Sequence, residues 1–328
     1  MECPRLDHFV RLNYNGTVSR CGHMVNAPEF ESLDQLEHSQ WQAMIRQQFQ
    51  QDVWPKECVR CQTSETVGST SIRQYSIQQH THDDYLTVGG VLDNVCNSAC
   101  QSCNSGLSTK IGALQGTDYP RFDNLAKFYA LPQQRITALD INGGEPTASP
   151  NYRYLLQNLP KRVQKIRVNT NGSRVLDNVQ QLLNQGIDVT VTVSLDGTGK
   201  THDYVRWPIT WQNYQRTVDA YLKLDSEYEN FHLNAWTVVH SLNINDLANI
   251  QQFAKMHDID WAYGLIEEPQ QLKIQYTNSF TIKAKHSALP GQIGAVIASD
   301  SNNQNQLDQF IHRQDQLRNI TIDSYIER

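Results

Sequence analysis

The chain has 328 residues, of which 39% are hydrophobic and 19% are charged, and its net charge is −6. This apolar content supports a folded core and excludes a wholly disordered chain, and the length allows about two domains. The negative charge argues against a generally basic nucleic-acid-binding protein. No apolar run reaches the ~20 residues that cross a bilayer, and the N-terminus lacks a secretory pattern. We therefore expect a soluble, cytoplasmic protein with neither membrane nor nucleic-acid partners.

Strand-like runs begin only after an irregular N-terminal stretch. Residues 1–84 contain short apolar pieces, whereas six strand-like runs alternate with helix-like stretches further along. The runs are Tyr85–Leu92, Ile136–Asn142, Lys165–Asn171, Asp188–Leu195, Phe231–Val239 and about Ile259–Ile266. Helices are predicted over Leu247–Met256 and about Asn303–Asn319. This alternation predicts a parallel α/β sheet, with a small lobe at 1–84, an α/β domain at 85–267 and a helical extension at 268–328.

The predicted strands carry a polar face as well as an apolar one. In the run Asp188–Leu195, valine or leucine alternates with threonine or serine, and the run Phe231–Val239 alternates similarly. Strands buried between two helical layers read as continuous apolar runs, so we predict a partial (β/α)6 TIM-like barrel whose polar face lines a wet lumen. A mixed sheet with one face in solvent is the alternative. The candidate substrate contacts on this polar face are Arg167, Asn169, Thr192, His232, Asn234 and Trp236.

Cysteine usage points to metal or redox chemistry. The seven cysteines are Cys3, Cys21, Cys58, Cys61, Cys96, Cys100 and Cys103. An odd number without a secretory segment argues against a disulfide framework. The last three form a C-x3-C-x2-C pattern after the first predicted strand. Three thiolates on one loop can hold three irons of a 4Fe–4S cluster and leave the fourth iron open, whereas a zinc site would need a fourth ligand.

Two motifs in consecutive order resemble the radical SAM superfamily. The C-x3-C-x2-C pattern is similar to that family's cluster motif, which implies that Cys96, Cys100 and Cys103 hold the catalytic cluster. The run from Gly143 through Gly144 and Glu145 to a proline follows the second predicted strand and resembles the family's Gly-Gly-Glu-Pro motif. By resemblance, this run binds the methionyl amino group of S-adenosylmethionine (SAM).

Further resemblance concerns the subgroup with SPASM or twitch cluster domains. The Ser-Leu-Asp-Gly run that begins at Ser194, followed by the stretch that ends at Arg206, is similar to a segment of that subgroup. The resemblance implies that Ser194 and Arg206 contact the SAM carboxylate. Asn171 resembles a polar residue that contacts the ribose. The resemblance extends over about residues 85–267.

The four N-terminal cysteines form a second candidate site. A tight turn at Asn15-Gly16 would bring Cys3 and Cys21 together, and Cys58 and Cys61 form a C-x2-C pair. Spacing alone leaves an all-thiolate zinc site and an auxiliary 4Fe–4S cluster open. The segment up to residue 61 resembles the SPASM/twitch module placed ahead of the barrel, and this resemblance implies an auxiliary 4Fe–4S cluster.

The resemblance implies an enzyme that reductively cleaves SAM to a 5′-deoxyadenosyl radical, which abstracts hydrogen from a substrate. With all seven cysteines assigned to clusters, no thiol is left to donate hydrogen, so we expect an oxidative modification. The subgroup is rich in enzymes that modify ribosomally made peptides, so such a peptide is the expected substrate, with a peptide-binding partner encoded elsewhere. A one-electron reductant such as flavodoxin or ferredoxin is the other expected partner. The alternatives are a small metabolite, sugar or nucleotide derivative as substrate, and a non-catalytic binding protein stabilised by zinc or an iron–sulfur cluster.

Overall fold

The computed structural model describes residues 1–78, 85–116, 119, 121–274 and 304–326. The strands in this part of the chain are β1 (Phe9–Leu12), β2 (Val18–Ser19), β3 (Leu86–Val91), β4 (Ile136–Asn142), β5 (Lys165–Thr170), β6 (Asp188–Ser194), β7 (Phe231–Val239) and β8 (Asp260–Leu265). The helices are α1 (Arg5–His8), α2 (Leu33–Glu37), α3 (Gln40–Gln50), α4 (Val59–Thr66), α5 (Ile72–Gln78), α6 (Thr109–Gln115), α7 (Leu125–Ala130), α8 (Pro150–Gln157), α9 (Val179–Asn184), α10 (Gly199–Val205), α11 (Trp211–Glu227), α12 (Leu247–Met256) and α13 (Gln304–Arg318).

The strands form an eight-stranded sheet in the order β2-β1-β3-β4-β5-β6-β7-β8. β1 and β2 are antiparallel, whereas the pairs β1–β3, β3–β4, β4–β5 and β7–β8 are parallel. From β3 onward the strands follow one another in chain order, with helices in the connections. This arrangement confirms the predicted α/β fold class, and the six consecutive strands β3 to β8 are consistent with a partial TIM-like barrel.

The predicted strands and helices agree closely with those observed. β4, β7 and α12 have the predicted bounds, and the other predicted strands are shorter by one or two residues. α13 begins one residue after the predicted start and ends one residue before the predicted end. Strands of six or more residues with a period of two are strongly indicated by their sequence.

The N-terminal stretch adds two strands that the sequence does not predict. β1 pairs in parallel with β3, with Phe9 opposite Thr87, and β2 returns antiparallel to β1. The turn between them closes where the Asn13 N–H donates to the Thr17 carbonyl at 2.9 Å, as the predicted turn at Asn15-Gly16 requires. Because β1 has four residues and β2 has two, neither is long enough to show a period of two.

Burial along the strands confirms their two faces. On β7, Phe231, Leu233 and Ala235 are buried, whereas His232 and Trp236 are exposed. The apolar face supplies core packing, and the polar face keeps side chains that can contact a ligand. The same alternation holds along β6.

Contacts divide the chain into two compact units. The first comprises Met1–Asn94, Arg121–Val168 and Gln180–Val189, and the second comprises Val95–Pro120, Asn169–Val179 and Thr190–Arg328. The domain boundaries predicted from the sequence stay predictions, because residues 79–84 and 275–303 lie outside the described part of the chain.

The core of the second unit includes the C-terminal helix. Leu307 and Phe310 of α13 pack in one apolar cluster with Tyr204. The Tyr204 hydroxyl also donates to Asp315 Oδ1 at 2.8 Å, and the Ile322 N–H donates to Asp315 Oδ2 at 2.9 Å. A buried carboxylate that accepts two hydrogen bonds fixes the position of α13 against α10. Among the helices described, none is both long enough and apolar enough to span a membrane.

Candidate functional site

The three closely spaced cysteines lie on one loop of the second unit, which we call the cysteine loop (residues 96–103). The start of α6 holds this loop in place through two hydrogen bonds. The Ser108 hydroxyl donates to the Ser98 carbonyl at 2.6 Å, and the Cys96 N–H donates to the Thr109 hydroxyl oxygen at 3.1 Å. Since Ser108 also caps α6 by accepting from a backbone N–H, the helix and the loop are positioned by the same side chain.

The C-terminal helix α13 holds the other side of the cysteine loop. Arg318 is 3% exposed. Its Nε donates to the Ala99 carbonyl at 2.8 Å, and its Nη2 donates to the Cys100 carbonyl at 3.1 Å. The Ala99 N–H in turn donates to the Trp207 carbonyl at 2.7 Å. The loop backbone is therefore restrained from both sides.

The cysteine loop brings its thiols close enough for their charges to interact. The Ser98 hydroxyl lies 3.3 Å from Cys96 Sγ and 3.6 Å from Cys100 Sγ. Burial, and then the charges of Cys100 and Cys96, raise the pKa of Cys103 to about 12. Three thiolates this close repel one another, so the loop suits a multiply charged cation that binds all three.

Asn171, the predicted ribose contact, braces the cysteine loop. Its Nδ2 donates to Asn97 Oδ1 at 2.8 Å and to the Ser98 hydroxyl at 3.1 Å. Its Oδ1 accepts from the Ser173 N–H at 2.9 Å. The side chain is buried, so these hydrogen bonds are protected from water and hold the amide in one orientation.

Arg206, the predicted carboxylate contact, is a largely buried cation in the second unit, with 12% of its side chain exposed. Its Nη1 lies 3.0 Å from Asp196 Oδ2, and Asp196 Oδ1 accepts from the Val238 N–H at 2.8 Å. Burial alone lowers the pKa of Arg206, but negative charge at the cysteine loop and at Asp196 raises it above its ordinary value. The guanidinium therefore stays charged and is aimed by Asp196.

Two buried polar atoms beside this ion pair have no hydrogen-bond partner in the part of the chain that the structure describes. They are Nε of Arg206 and the hydroxyl oxygen of Tyr214. The Tyr214 ring lies 4.5 Å, centroid to centroid, from that of His202. An unpaired buried polar group costs about 1–3 kcal/mol, so these atoms favour a polar ligand that pairs with them.

The glycine-rich turn (residues 143–146) follows β4 in the first unit. Gly143 has a φ of +130°, and a Cβ there would lie 2.9 Å from the Asp93 carbonyl oxygen, so only glycine fits. The Gly144 N–H donates to the same carbonyl at 3.1 Å. Glu145 is 1% exposed, and its Oε1 accepts from the Thr147 N–H at 2.9 Å and from the Thr147 hydroxyl at 2.7 Å. The turn thus holds a buried carboxylate in place.

The four N-terminal cysteines converge in the first unit. Cys3, Cys21, Cys58 and Cys61 line one small cavity together with apolar side chains. Burial, and then the charge of Cys21, raise the pKa of Cys3 to about 12. Burial, and then the charge of Cys3, raise the pKa of Cys58. The spatial grouping that the sequence predicts is therefore present.

Neither cysteine group is arranged as a finished metal site. Among the described residues, no set of three or more His, Cys, Asp or Glu side chains is poised to hold a metal ion. The donor chemistry of both groups nevertheless fits a thiophilic metal, because thiolate sulfur is the preferred ligand of iron–sulfur clusters and of structural zinc.

The predicted substrate contacts and Ser194 stand at accessible positions. His232, Trp236 and Asn169 are exposed, whereas Asn234, Thr192, Ser194 and Arg167 are half-buried. Trp236 is 43% exposed and lies over Gly264, where a Cβ would be 2.9 Å from its ring. In the first unit, Arg167 Nη2 donates to the Tyr75 hydroxyl at 3.2 Å. The contacts of these side chains with a substrate stay predictions.

A family comparison covers the segment that contains most of these candidate residues. Residues 92–254 match the radical SAM superfamily. A radical SAM domain implies SAM and a 4Fe–4S cluster as cofactors. This radical SAM segment contains the cysteine loop, the glycine-rich turn, Asn171, Ser194 and Arg206, whereas the N-terminal cysteines and Arg318 lie outside it.

Comparison with known proteins adds structures of one bacterial protein. No curated protein matches this chain. Structures of SuiB from Streptococcus suis align with it at 12% sequence identity and cover 96% of this chain. The structure of SuiB bound to SAM has a TM-score of 0.42 with 71% of that chain covered. SuiB bound to the precursor peptide SuiA and SuiB alone have TM-scores of 0.41 and 0.40, each with 70% covered.

Three residues that contact the predicted site residues were not predicted from the sequence. Asp196 lies within the run that resembles the subgroup, but its ion pair with Arg206 is visible only in the structure. Ser98 lies inside the cysteine motif at a position that the motif leaves open. Arg318 lies 218 residues after Cys100, and no sequence signal links them.

Buried histidines of the second unit predict a loss of stability in mild acid. Burial, opposed by Asp196 and reinforced by Arg206, lowers the pKa of His240 to about 4, and burial, with the charge of Arg206, lowers that of His202 to about 3. Both titrate near 6.5 in the unfolded chain, so between about pH 6.5 and pH 4 the unfolded state binds more protons. The contribution of the two neutral histidines to the free energy of unfolding is complete above this window. As the pH drops through the window, the free energy of unfolding falls by about 1.4 kcal/mol per pH unit for each histidine.

Denaturant unfolding between pH 7.5 and pH 5 measures this slope. His240 Nδ1 accepts from the Leu242 N–H at 3.2 Å, a hydrogen bond that an asparagine oxygen can replace. The His240→Asn variant should therefore fold, and the slope of its unfolding free energy against pH should be smaller by the contribution of about one proton. An unchanged slope would contradict the prediction.

Proposed function

We propose that this chain is a radical SAM enzyme that abstracts hydrogen from a ribosomally made peptide and so begins an oxidative modification. The observation that carries the proposal is the restrained cysteine loop, with Asn171 bonded to it and the largely buried guanidinium of Arg206 in the same unit. A site that gathers three thiols and a buried guanidinium suits a thiophilic cluster and an anionic group of its co-substrate.

Cys96, Cys100 and Cys103 would hold the 4Fe–4S cluster. When bound, that cluster and SAM supply the 5′-deoxyadenosyl radical. The Ser98 hydroxyl, at 3.3 Å and 3.6 Å from two of the sulfurs, would donate to thiolate sulfur and favour the reduced, more negative cluster.

The remaining residues of the site would bind and orient SAM. Arg206 offers a buried, unpaired Nε to the SAM carboxylate, while Asp196 holds the other end of the guanidinium at 3.0 Å. Ser194, at the end of β6, would add a hydroxyl to the same carboxylate, and Asn171 would contact the ribose. The glycine-rich turn of the first unit, in which Thr147 holds the Glu145 carboxyl group, would by resemblance bind the methionyl amino group.

The N-terminal cysteines would hold an auxiliary 4Fe–4S cluster. The convergence of four thiols in one cavity, whose other lining residues are apolar side chains together with Arg5, His23 and Arg73, supports a fully ligated site. Zinc is the competing occupant, because its all-thiolate site needs the same four ligands. If every cysteine is a cluster ligand, no thiol is available to return a hydrogen atom to the substrate radical. The auxiliary cluster would instead accept an electron from that radical, which favours oxidation of the substrate.

The peptide substrate rests on analogy with the subgroup that the sequence resembles. Trp236, 43% exposed on the polar face of β7, gives an aromatic surface suited to a side chain of such a peptide, and a small metabolite is the alternative substrate. We place the enzyme in the reducing cytoplasm, where a flavodoxin or ferredoxin would supply the electron and a separate partner would help to bind the peptide.

Anaerobic purification and reconstitution of the whole chain test the proposal. We expect about eight irons and eight sulfides per chain, and release of 5′-deoxyadenosine when dithionite and SAM are added. About four irons with one zinc would keep the radical enzyme and reassign the N-terminal site to zinc. Iron incorporation without any SAM cleavage would overturn the enzyme and favour a metal-stabilised binding protein.

A further inference from the structure

A cavity of about 560 Å³ lies in the first unit at the amino-terminal ends of the strands. It is lined by Phe9, Thr87, Thr137, Lys165 and Asp188, each the first or second residue of its strand. The cavity therefore lies at the edge of the sheet opposite to the glycine-rich turn, which follows the end of β4. Its volume is within the range of about 300–1,000 Å³ that is usual for ligand sites.

Positive charge dominates the lining of this cavity. The cations are Arg5, Lys161, Arg162, Lys165 and Arg167, and the one carboxylate among the lining residues described is Asp188. Five cations and one carboxylate leave a formal excess of four positive charges, in a chain whose net charge is −6. Asp188 Oδ2 lies 3.6 Å from Lys165 Nζ, so it offsets that lysine. A cleft lined by such an excess of positive charge attracts anionic ligands.

Two guanidinium groups of the cavity are positioned by aromatic rings. Arg167 donates to the Tyr75 hydroxyl at 3.2 Å, and its Cζ lies 5.4 Å from the centre of that ring. Arg5 Cζ lies 3.7 Å from the centre of the Phe9 ring, and Arg5 Nε is buried without a hydrogen-bond partner in the described part of the chain. A guanidinium that stacks on a ring keeps N–H donors for a carboxylate or phosphate.

The spacing of the cations favours an extended acidic peptide over a compact phosphate. Lys165 and Arg167 are two residues apart on β5, so they share a face and repeat at about 7 Å along the strand. Alternate side chains of an extended peptide repeat at the same distance. Compact phosphate sites commonly use glycine-rich loops or helix N-termini, and the cavity residues that the structure describes include no glycine.

We propose that this cavity binds an acidic segment of the peptide substrate, extended and with carboxylates at alternate positions. The source of the peptide rests on the proposed function, whereas the binding step itself needs neither SAM nor an iron–sulfur cluster. Such a segment would tether the substrate at the amino-terminal edge of the sheet. The affinity of the enzyme for its substrate would then come in part from residues that are not modified.

Fluorescence anisotropy with a labelled Gly-Glu-Ser-Glu-Ser-Glu-Gly peptide and the whole chain tests the proposal. Replacing Lys161 and Arg167 together by glutamine is expected to weaken binding about tenfold. The matched control replaces two exposed cations of α11, Arg216 and Lys223, by glutamine. This control changes the net charge equally and should leave the affinity within about twofold. Circular dichroism confirms that each variant is folded.

A variant that is expected to strengthen peptide binding keeps the test decisive if the double variant fails to fold. Asp188→Asn removes the carboxylate of the lining and should tighten peptide binding about twofold to threefold. Three results would overturn the proposal: equal weakening by the control pair, equal affinity for a peptide with glutamine in place of glutamate, or tighter binding of pyrophosphate than of the acidic peptide. Because the assay uses no SAM, peptide binding without SAM cleavage would refute only the proposed enzyme, and cleavage without binding would refute only this site.

Discussion

A chain in which Cys96, Cys100 and Cys103 are all replaced by alanine is expected to lose SAM cleavage completely and to keep about half of its iron. The reason is that these thiols are the sulfur donors of the restrained loop, where burial and mutual charge raise the pKa of Cys103 to about 12. Without a cation the Cys103 thiol stays protonated, and without the three thiols the cation has no ligands on this loop. The release of 5′-deoxyadenosine and the iron content per chain measure the two effects.

The reciprocal control replaces Cys58 and Cys61 by alanine. This variant should lose the other half of the iron but should still release 5′-deoxyadenosine. It should no longer form the oxidised form of the substrate. Both variants are compared with the parent chain by thermal unfolding, because Cys58 belongs to the apolar core of the first unit. Nucleoside release by the triple variant would show that the cysteine loop does not hold the catalytic cluster.

The fold was largely predictable because its strands repeat apolar and polar residues over six or more positions. β4 and β7 begin and end where the sequence predicts, and the buried and exposed positions of β7 follow the pattern of its residues. The exceptions are β1 and β2, which belong to the sheet through hydrogen bonds with β3 and with each other. Such pairing depends on partners that are distant in the sequence, and a strand of two to four residues carries no period of its own.

The site was predictable where its chemistry is local. Cys96, Cys100 and Cys103 fall within eight residues, and Gly143, at a φ of +130° beside the Asp93 carbonyl, occupies a position that only glycine tolerates. Some of the side chains that support these motifs were not predictable, because they come from distant elements, as Arg318 does from 218 residues after Cys100. The aromatic partner of Arg167 is Tyr75, 92 residues earlier, so the sequence places Arg167 on a polar face without showing the basic cavity around it.

Replacing Arg318 by methionine is expected to loosen the cysteine loop although the residue lies far outside the radical SAM segment. The change removes two buried hydrogen bonds, at 2.8 Å to the Ala99 carbonyl and at 3.1 Å to the Cys100 carbonyl. The Ala99 carbonyl loses its donor, whereas the Cys100 carbonyl keeps the Cys103 N–H at 3.2 Å. The cost is therefore about 2 kcal/mol, which corresponds to a decrease of roughly 3–6 °C in Tm. The loop-bound iron should also be lost to a chelator at about tenfold lower concentration.

Two further variants separate positioning from bulk stability. Arg318→Lys keeps the charge but presents a single ammonium that cannot bridge two carbonyls as the planar guanidinium does, so its iron retention should be intermediate. Arg313→Met changes an exposed arginine of the same helix and should affect neither Tm nor iron. If Arg318→Met lowered Tm but released iron no faster than the parent chain, Arg318 would serve only to dock α13. Faster iron release that follows the order Met, Lys, Arg at position 318 would show that the C-terminal helix positions the cluster ligands through the loop backbone.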